Sequence, residues 1–315
     1  MQPIRLRPYI AQTIWGGRRL ADEYCIDIGD AQNCAEAWVL SAIPQCGSVV
    51  QGGEYDGLTL EDLFSQHKIL FGTALREAKS CPILVKLIDA MDDLSIQVHP
   101  RDGDAVLAEG ESGKTECWYI LDAAEGASLV LGFKEAIGKA DFATAIAEQT
   151  LMKHLRKVPV KAGDFFFIPA GTLHAIGKGI LLAEVQQSSA TTYRIYDYGR
   201  LQNGLPRALH TAQSLAVTDC APYDFAAYHK HAGASSVTQL VDCPYFSVAL
   251  RHIETGDAVH VGESSFLHLL VLDGEAVLQT SNAAFQIQKG ESYLLPAGLG
   301  KAAWIGSARI LTTAV

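Results

Sequence analysis

The chain is short of charge, and shorter still of basic charge. Only 19% of its residues are charged, and 25 Lys and Arg face 35 Asp and Glu, a formal net charge of −10. Nucleic-acid binding needs a basic footprint against the phosphates, so neither DNA nor RNA is expected as a partner. Long apolar runs are also missing. None approaches the roughly 18 residues a membrane helix requires, and the start Met1-Gln2-Pro3-Ile4-Arg5 lacks the apolar stretch of a secretory signal. The seven cysteines are odd in number, scattered and never in a CxxC. That usage suits reduced thiols better than a disulfide framework, and a cytoplasmic location with no membrane partner is expected.

Apolar material, by contrast, is plentiful. Hydrophobic residues make up 49% of the 315, enough for a packed core and incompatible with intrinsic disorder. A chain of this length carries a prior of about two domains. Helical spacing appears over 61–80 and 139–155, and a short helix is expected at 104–109. Most of the remainder reads as short strands between Gly and Pro turns, including 82–88, 94–99, 113–121, 127–133, much of 158–198 and the stretch 237–315. An Ala-rich segment, 206–236, looks like a mixed connection.

One internal repeat bears on the architecture. Gly163-Asp164-Phe165-Phe166-Phe167-Ile168-Pro169-Ala170-Gly171 matches Gly290-Glu291-Ser292-Tyr293-Leu294-Leu295-Pro296-Ala297-Gly298, 127 residues later. Both read as turn, strand, Pro-x-Gly turn. The spacing is too long for a solenoid period and predicts two related β-domains, each a jelly-roll barrel. We place the boundary between a first domain at 1–236, with helical insertions, and a smaller second domain at 237–315.

Side chains two apart on a strand share a face. Across 94–99 this sets Ser95, Gln97 and His99 against Leu94, Ile96 and Val98. Lys114 shares a face with Glu116, and His174 follows the first Pro-Ala-Gly turn. Glu184 is the one charge in an apolar strand, and Arg194 should lie with Thr192 and Tyr196. Polar groups from several strands converging on one barrel interior would make a small-molecule pocket. A lone strand histidine is more often a hydrogen-bonded core or surface group. Here the grouping points to a metal: His99, Glu116 and His174, with Gln97 as a neutral oxygen donor, suit Zn²⁺ with room for water or substrate. His229-Lys230-His231 has ligand-like spacing but sits in the polar connection, where solvation is expected. Lys86, amid Ile83 to Ile88, either reaches the surface or pairs with an anion in the pocket.

The stretch Gly163 to His174 resembles the second metal motif of the cupin fold. With Leu94-Ser95-Ile96-Gln97-Val98-His99-Pro100, Gly113-Lys114-Thr115-Glu116-Cys117-Trp118-Tyr119 and Tyr193-Arg194-Ile195-Tyr196-Asp197-Tyr198, the chain resembles the type I mannose-6-phosphate isomerases in their short bacterial form. The likeness runs from Trp15-Gly16-Gly17 nearly to the end. It implies one zinc per chain on Gln97, His99, Glu116 and His174, catalytic positions at Arg194, Lys114 and Glu184, and substrate-binding positions at Ser95, Lys86 and Trp15. It further implies aldose–ketose isomerisation of a hexose phosphate through a cis-enediol, by a monomer or homodimer. Two departures stand out. Lys301 falls where the second barrel would carry its metal histidine, so no second metal is expected. Ala190 falls where the family usually has Asp. The alternatives are a non-catalytic sugar-phosphate sensor, which Ala190 favours, and another metal-dependent cupin such as a dioxygenase, which the Gln ligand and the cationic pocket disfavour.

Overall fold

The aliphatic run beginning at Ile83 forms strand Ile83–Ala90, and all eight of its residues are buried. Strand Ile180–Gln187 pairs with it along its full length and is equally buried. A strand buried along its whole length, without alternation, needs cover on both faces. The computed structural model, which describes residues 1–233 and 235–315, identifies that cover. The two strands lie centrally in a seven-stranded antiparallel sheet ordered His229–His231, Asp164–Ile168, Glu116–Ala123, Ile180–Gln187, Ile83–Ala90, Glu36–Leu40, Tyr9–Ala11. On one face Ile88, Trp118, Phe166 and Leu182 cluster with Leu129, Leu131 and Ile176. Those partners belong to or adjoin a five-stranded sheet, Tyr193–Tyr196, Ile96–Val98, His174–Ala175, Ser128–Phe133, Leu155–Pro159. The two sheets enclose the first barrel.

On its other face the seven-stranded sheet turns Val85, Leu87, Tyr119 and Val185 against Leu250, Leu270, Leu294 and Leu311 of a nine-stranded sheet. Each such side chain removed from water contributes about 1.5–3 kcal/mol, so the two barrels hold each other firmly. The nine-stranded sheet curls round its own core of Ile253, Val271, Leu278, Ile287 and Trp304 to make the second barrel. Strand Ile4–Arg7 crosses into it and pairs with Ser292–Leu295. The protein is therefore mainly β, 40% strand and 14% helix, in two barrels. Helices Lys139–Ala147 and Thr211–Val217 supply Phe142 and Val217 to cover the outer face of the five-stranded sheet, where Ile96, Val98, Tyr193 and Ile195 point.

The helices are shorter than their periodicity suggests. The stretch 61–80 splits into helix Leu60–Gln66, capped by Thr59, and two 3-10 turns, Lys68–Phe71 and Thr73–Leu75. His67 leaves helical geometry at φ −131°, Gly72 at φ 99° separates the two turns, and beyond it Thr73 and Ala74 donate their N–H groups to the carbonyls of Glu263 and Ser264 in the second barrel. The stretch 139–155 yields one helix to Ala147, a 3-10 turn and a strand from Leu155, and Gln149 takes a left-handed φ of 57° between the first two. At 104–109 there are turns in place of a helix. His229–His231 is the edge strand against Asp164–Phe166, so it belongs to the sheet and not to a connection, while Lys230 and His231 remain exposed as expected. Its His231 Nδ1 lies 2.9 Å from Asp164 Oδ1. Lys301 is exposed on strand Gly300–Ala314, opposite His260.

The repeat is conformational as well as sequential. Gly163 and Gly290 enter their strands at φ 90° and 87°, and Gly171 and Gly298 leave the Pro-Ala-Gly turns at 89° and 76°. Side chains other than glycine's avoid this region at a cost of about 1–2 kcal/mol. At Gly290 an added Cβ would also stand 2.0 Å from the carbonyl oxygen of Tyr24, whereas Gly57, at φ 84°, has open space. Urea unfolding should therefore show Gly57→Ala losing about the conformational cost alone, and Gly290→Ala losing clearly more. Equal losses would mean the Tyr24 approach is not confining.

Candidate active site

The five-stranded sheet sets Gln97 between two functional partners. Ile96 and Val98 face the outer cluster, which turns Gln97 inward, and its register partners are His174 on one side and Arg194 on the other. His99 follows the same strand. From the facing sheet, Glu116 opens strand Glu116–Ala123 opposite Gln186. His99, Glu116 and His174 are buried, with ligand atoms all within 4.8 Å of one another. His99 Nε2 stands 3.5 Å from Glu116 Oε2, and His174 Nε2 stands 3.4 Å from Glu116 Oε1.

Both imidazoles donate from Nδ1 to a backbone carbonyl, His99 to Thr191 and His174 to Thr172, each at 2.9 Å. That fixes the tautomer and leaves both Nε2 lone pairs directed at the carboxylate. Burial pushes both histidines down, His174 to about 4 and His99 well below its ordinary range, and Lys114 reinforces the shift. They are neutral, as metal ligands must be. Burial raises Glu116 to about 7 despite Lys114, and its Oε1 accepts no hydrogen bond among the described residues. Its Oε2 lies 2.7 Å from Lys114 Nζ, at ion-pair distance but without hydrogen-bond alignment. Two deprotonated imidazole nitrogens around an orphaned buried carboxylate oxygen fit a divalent cation. Gln97 Nε2 lies 3.4 Å from His174 Nε2, so its amide adjoins the same point.

On the seven-stranded sheet the cross-strand register lines up Trp38, Lys86, Glu184 and Trp118 in one row. Lys86 Nζ lies 3.1 Å from both Glu36 Oε2 and Glu184 Oε2, and sits 4.9 Å from the Trp38 ring. Glu184 Oε1 accepts from Trp118 Nε1 at 2.9 Å. Burial by itself would raise the Glu184 carboxyl, but Lys114, Lys86 and the indole N–H together hold it down to about 2. Burial likewise works against the Lys86 ammonium, and the two carboxylates reverse this and raise it. Lys86 thus pairs inside the barrel and does not reach the surface.

These groups open on a cavity of about 330 Å³ lined by Trp15, Ser95, Gln97, Lys86, Lys114, Glu184 and Arg194. All the sequence-derived site residues are thus in or against one cavity, with the metal-ligating trio touching its walls through Lys114 and Gln97. Arg194 is held by Ser95 Oγ, 3.2 Å from Nε, and by the Ala208 carbonyl, 3.0 Å from Nη1. Two face assignments fail. Leu94 precedes the strand and joins the barrel interior and not the outer cluster of Ile96 and Val98. A register shift between Arg194 and Tyr196 sends Tyr196 into a neighbouring cavity of about 510 Å³. Glu36, Arg207 and His210 also line the site and escape the sequence reading. Glu36 alternates with the conspicuous Trp38 and could have been inferred. Arg207 and His210 lie in the segment read as a connection, where no periodicity marks them.

A two-barrel β fold whose first barrel gathers a His-Glu-His cluster and several buried cations defines a metal-binding cupin enzyme. The model of the phosphomannose isomerase type I catalytic domain matches residues 4–127, and that of the mannose-6-phosphate isomerase cupin domain matches 236–315. A mannose-6-phosphate isomerase of Bacillus subtilis is 41% identical over 305 residues, 95% of each chain. One of Streptococcus mutans is 40% identical over 297 residues, 94% of this chain and 92% of the other. The crystal structure of the mannose 6-phosphate isomerase from Bacillus subtilis, 35% identical, superposes with a TM-score of 0.93 over all of both chains. The chain belongs to the type I phosphomannose isomerase family.

The buried ion cluster makes a stability prediction. Removing one member of a buried pair strands the other charge, at about 3–5 kcal/mol. Lys86→Met should therefore destabilise by about that amount, and adding Glu184→Gln should recover part of the loss in urea unfolding. The Glu184 contribution has a defined acid limit: its carboxyl lies below the ordinary 4.5, so its stabilisation is complete above that pH and is lost as pH falls through about 2. A Glu184→Gln protein should lose less stability over that window than the parent.

Proposed function

We propose that the protein is a zinc-dependent aldose–ketose isomerase that interconverts mannose 6-phosphate and fructose 6-phosphate through a cis-enediol. The observation that carries the reading is the meeting, in one barrel, of a three-residue metal set with a guanidinium held ready at the cavity wall. Gln97, His99, Glu116 and His174 would hold the metal, Gln97 after turning its amide so that the oxygen replaces the nitrogen now facing His174. When bound, zinc supplies a Lewis acid and a template for the sugar oxygens.

The chain's own residues divide the remaining work by charge. The isomerisation moves a proton between C2 and C1 and builds negative charge on the adjoining oxygens. Lys114, beside Glu116 and the His99 Nε2 at 3.1 Å, places an ammonium where that charge develops. Glu184 stays ionised, gripped by Lys86 and Trp118, and keeps Lys86 oriented towards the sugar hydroxyls. Arg194, steadied by Ser95, and Arg207, bonded through Nε to Asp197 Oδ2 at 2.7 Å, supply planar forks suited to a phosphate dianion. Trp15, 4% exposed, walls the cavity. We divide the chain functionally into residues 1–236, which carry the site, and 237–315, which support it. A cytoplasmic location is in keeping with cysteines that are all free, and the chain is taken as a monomer or homodimer; among the described residues no helix is long and apolar enough to cross a membrane. Ala190 lines the cavity without offering a carboxylate and favours the second reading, a sugar-phosphate sensor.

An assay of mannose 6-phosphate turnover with metal analysis separates the two. The isomerase reading expects one divalent metal per chain, most of it zinc, and turnover that chelation abolishes and zinc restores. Binding without turnover would make the protein a sensor. Metal retained in full by the His99→Ala, His174→Ala double variant would sink the assigned ligand set.

Arg194→Lys keeps the charge and loses the fork. Loss of a charge-assisted contact of about 2–4 kcal/mol lowers kcat/KM roughly 30- to 1000-fold. A fall carried by kcat assigns Arg194 to the transition state, and a rise in KM alone assigns it to phosphate binding. Parent kinetics would make Arg194 structural.

A further inference from the structure

Lys114 is central to the proposed chemistry, yet it belongs to no strand, because the strand starts two residues later at Glu116. Its backbone is fixed by other means. Gly113 donates its N–H to Asp102 Oδ1 at 2.6 Å, and Thr115 donates its N–H to Gln187 Oε1 at 2.8 Å. Lys114 itself donates its N–H to the Pro100 carbonyl at 2.9 Å. Gln187 Nε2 then donates to Asp102 Oδ2 at 2.9 Å. The two side chains are therefore one strut, closed on both sides of Lys114. Gly113 leaves no clearance, since a Cβ there would stand 2.4 Å from Asp102 N and 2.6 Å from Arg101 C. Gln187 is buried at 6% exposure while Asp102 is exposed, so the strut runs from the surface inward and its buried amide end depends on the carboxylate for its partner. Past Gln187 the same segment reaches Thr191, whose carbonyl holds His99.

We infer that Asp102 and Gln187 act as a pair of positioning residues for Lys114, and that the polarity of their contact is the essential feature. The carboxylate must accept twice, and the amide must donate at Nε2 while accepting at Oε1. Asp102→Asn sets an NH₂ against the NH₂ of Gln187. Flipping the Gln187 amide to relieve that clash takes its acceptor away from Thr115. Gln187→Glu sets carboxylate against carboxylate. The exchange of both, Asp102→Asn with Gln187→Glu, restores every bond: the new amide donates to the new carboxylate, which still accepts from Thr115, and net charge is unchanged.

The inference rests on the isomerase reading for its kinetic half and on the backbone alone for the other. Each single variant should lower kcat for mannose 6-phosphate by about 10- to 100-fold, the scale expected when a reacting group is displaced by about 1 Å, with KM little changed. The exchanged pair should return most of that loss. Amide hydrogen exchange at Gly113 and Thr115 should quicken in each single variant and slow again in the pair, whatever the turnover. A double variant no better than the singles, in kcat and in amide exchange, overturns the proposal, as do single variants with parent kcat and parent exchange. If the parent protein has no turnover, the functional reading fails and the exchange pattern alone decides the strut.

Discussion

A sheet buried on both faces is the constraint from which the site follows. The seven-stranded sheet is covered on one side by the second barrel and on the other by the first barrel's own interior. A charge on such a sheet cannot be solvated, so it must be paired where it stands. Lys86 between Glu36 and Glu184, with Trp118 completing the second carboxylate, is that pairing. Its components were not free to be arranged for chemistry alone. Conversely, Glu116, whose two carboxylate oxygens accept no hydrogen bond among the described residues, is conspicuous because it sits between two histidines whose Nδ1 atoms are already committed to backbone carbonyls.

Fixing of the metal ligands comes from loops, even where the ligands themselves ride on strands. His174 lies on a two-residue strand, but its tautomer is set by the Thr172 carbonyl in the Pro-Ala-Gly turn. His99 depends on Thr191, in the segment that carries Ala190. The strands thus set the positions of the side chains, and the turns set which nitrogen is available. This division explains why a mainly β protein devotes hydrogen bonds such as Ser189 Oγ to Ser112 carbonyl and Gln186 Nε2 to Ser189 carbonyl to one short connection.

The same division decides what can be read from the sequence. Alternation along a strand is a covalent property, so Gln97 against Ile96 and Val98, and Glu184 within its apolar strand, are legible in the order of residues alone. The Gly-to-Gly repeat is legible because left-handed turns select glycine. What the sequence hides depends on tertiary contacts. The bulge after Arg194 carries Tyr196 away, the second barrel's carbonyls take up the N–H groups of Thr73 and Ala74 within 61–80, and Leu94, before the strand, bonds its N–H to Ile176 and packs inward. Arg207 reaches the cavity from a hairpin with no apolar pattern to announce it.

The second barrel holds none of the site residues, yet it is not an appendage. Strand Ile4–Arg7, from the start of the chain, closes onto Ser292–Leu295, and Ser292 Oγ donates to the Val39 carbonyl next to the row that begins at Trp38. The sheet that carries Lys86 and Glu184 therefore has its back face sealed by the second barrel and its edge strand Glu36–Leu40 tied to it. Removing that barrel would expose Val85, Leu87 and Val185 to water. It would also let solvent reach the strands whose dryness keeps the ion cluster paired. The repeat that both barrels share in their glycine turns has thus come to serve two ends: one copy leads to His174, and the other keeps the sheet beneath the chemistry dry.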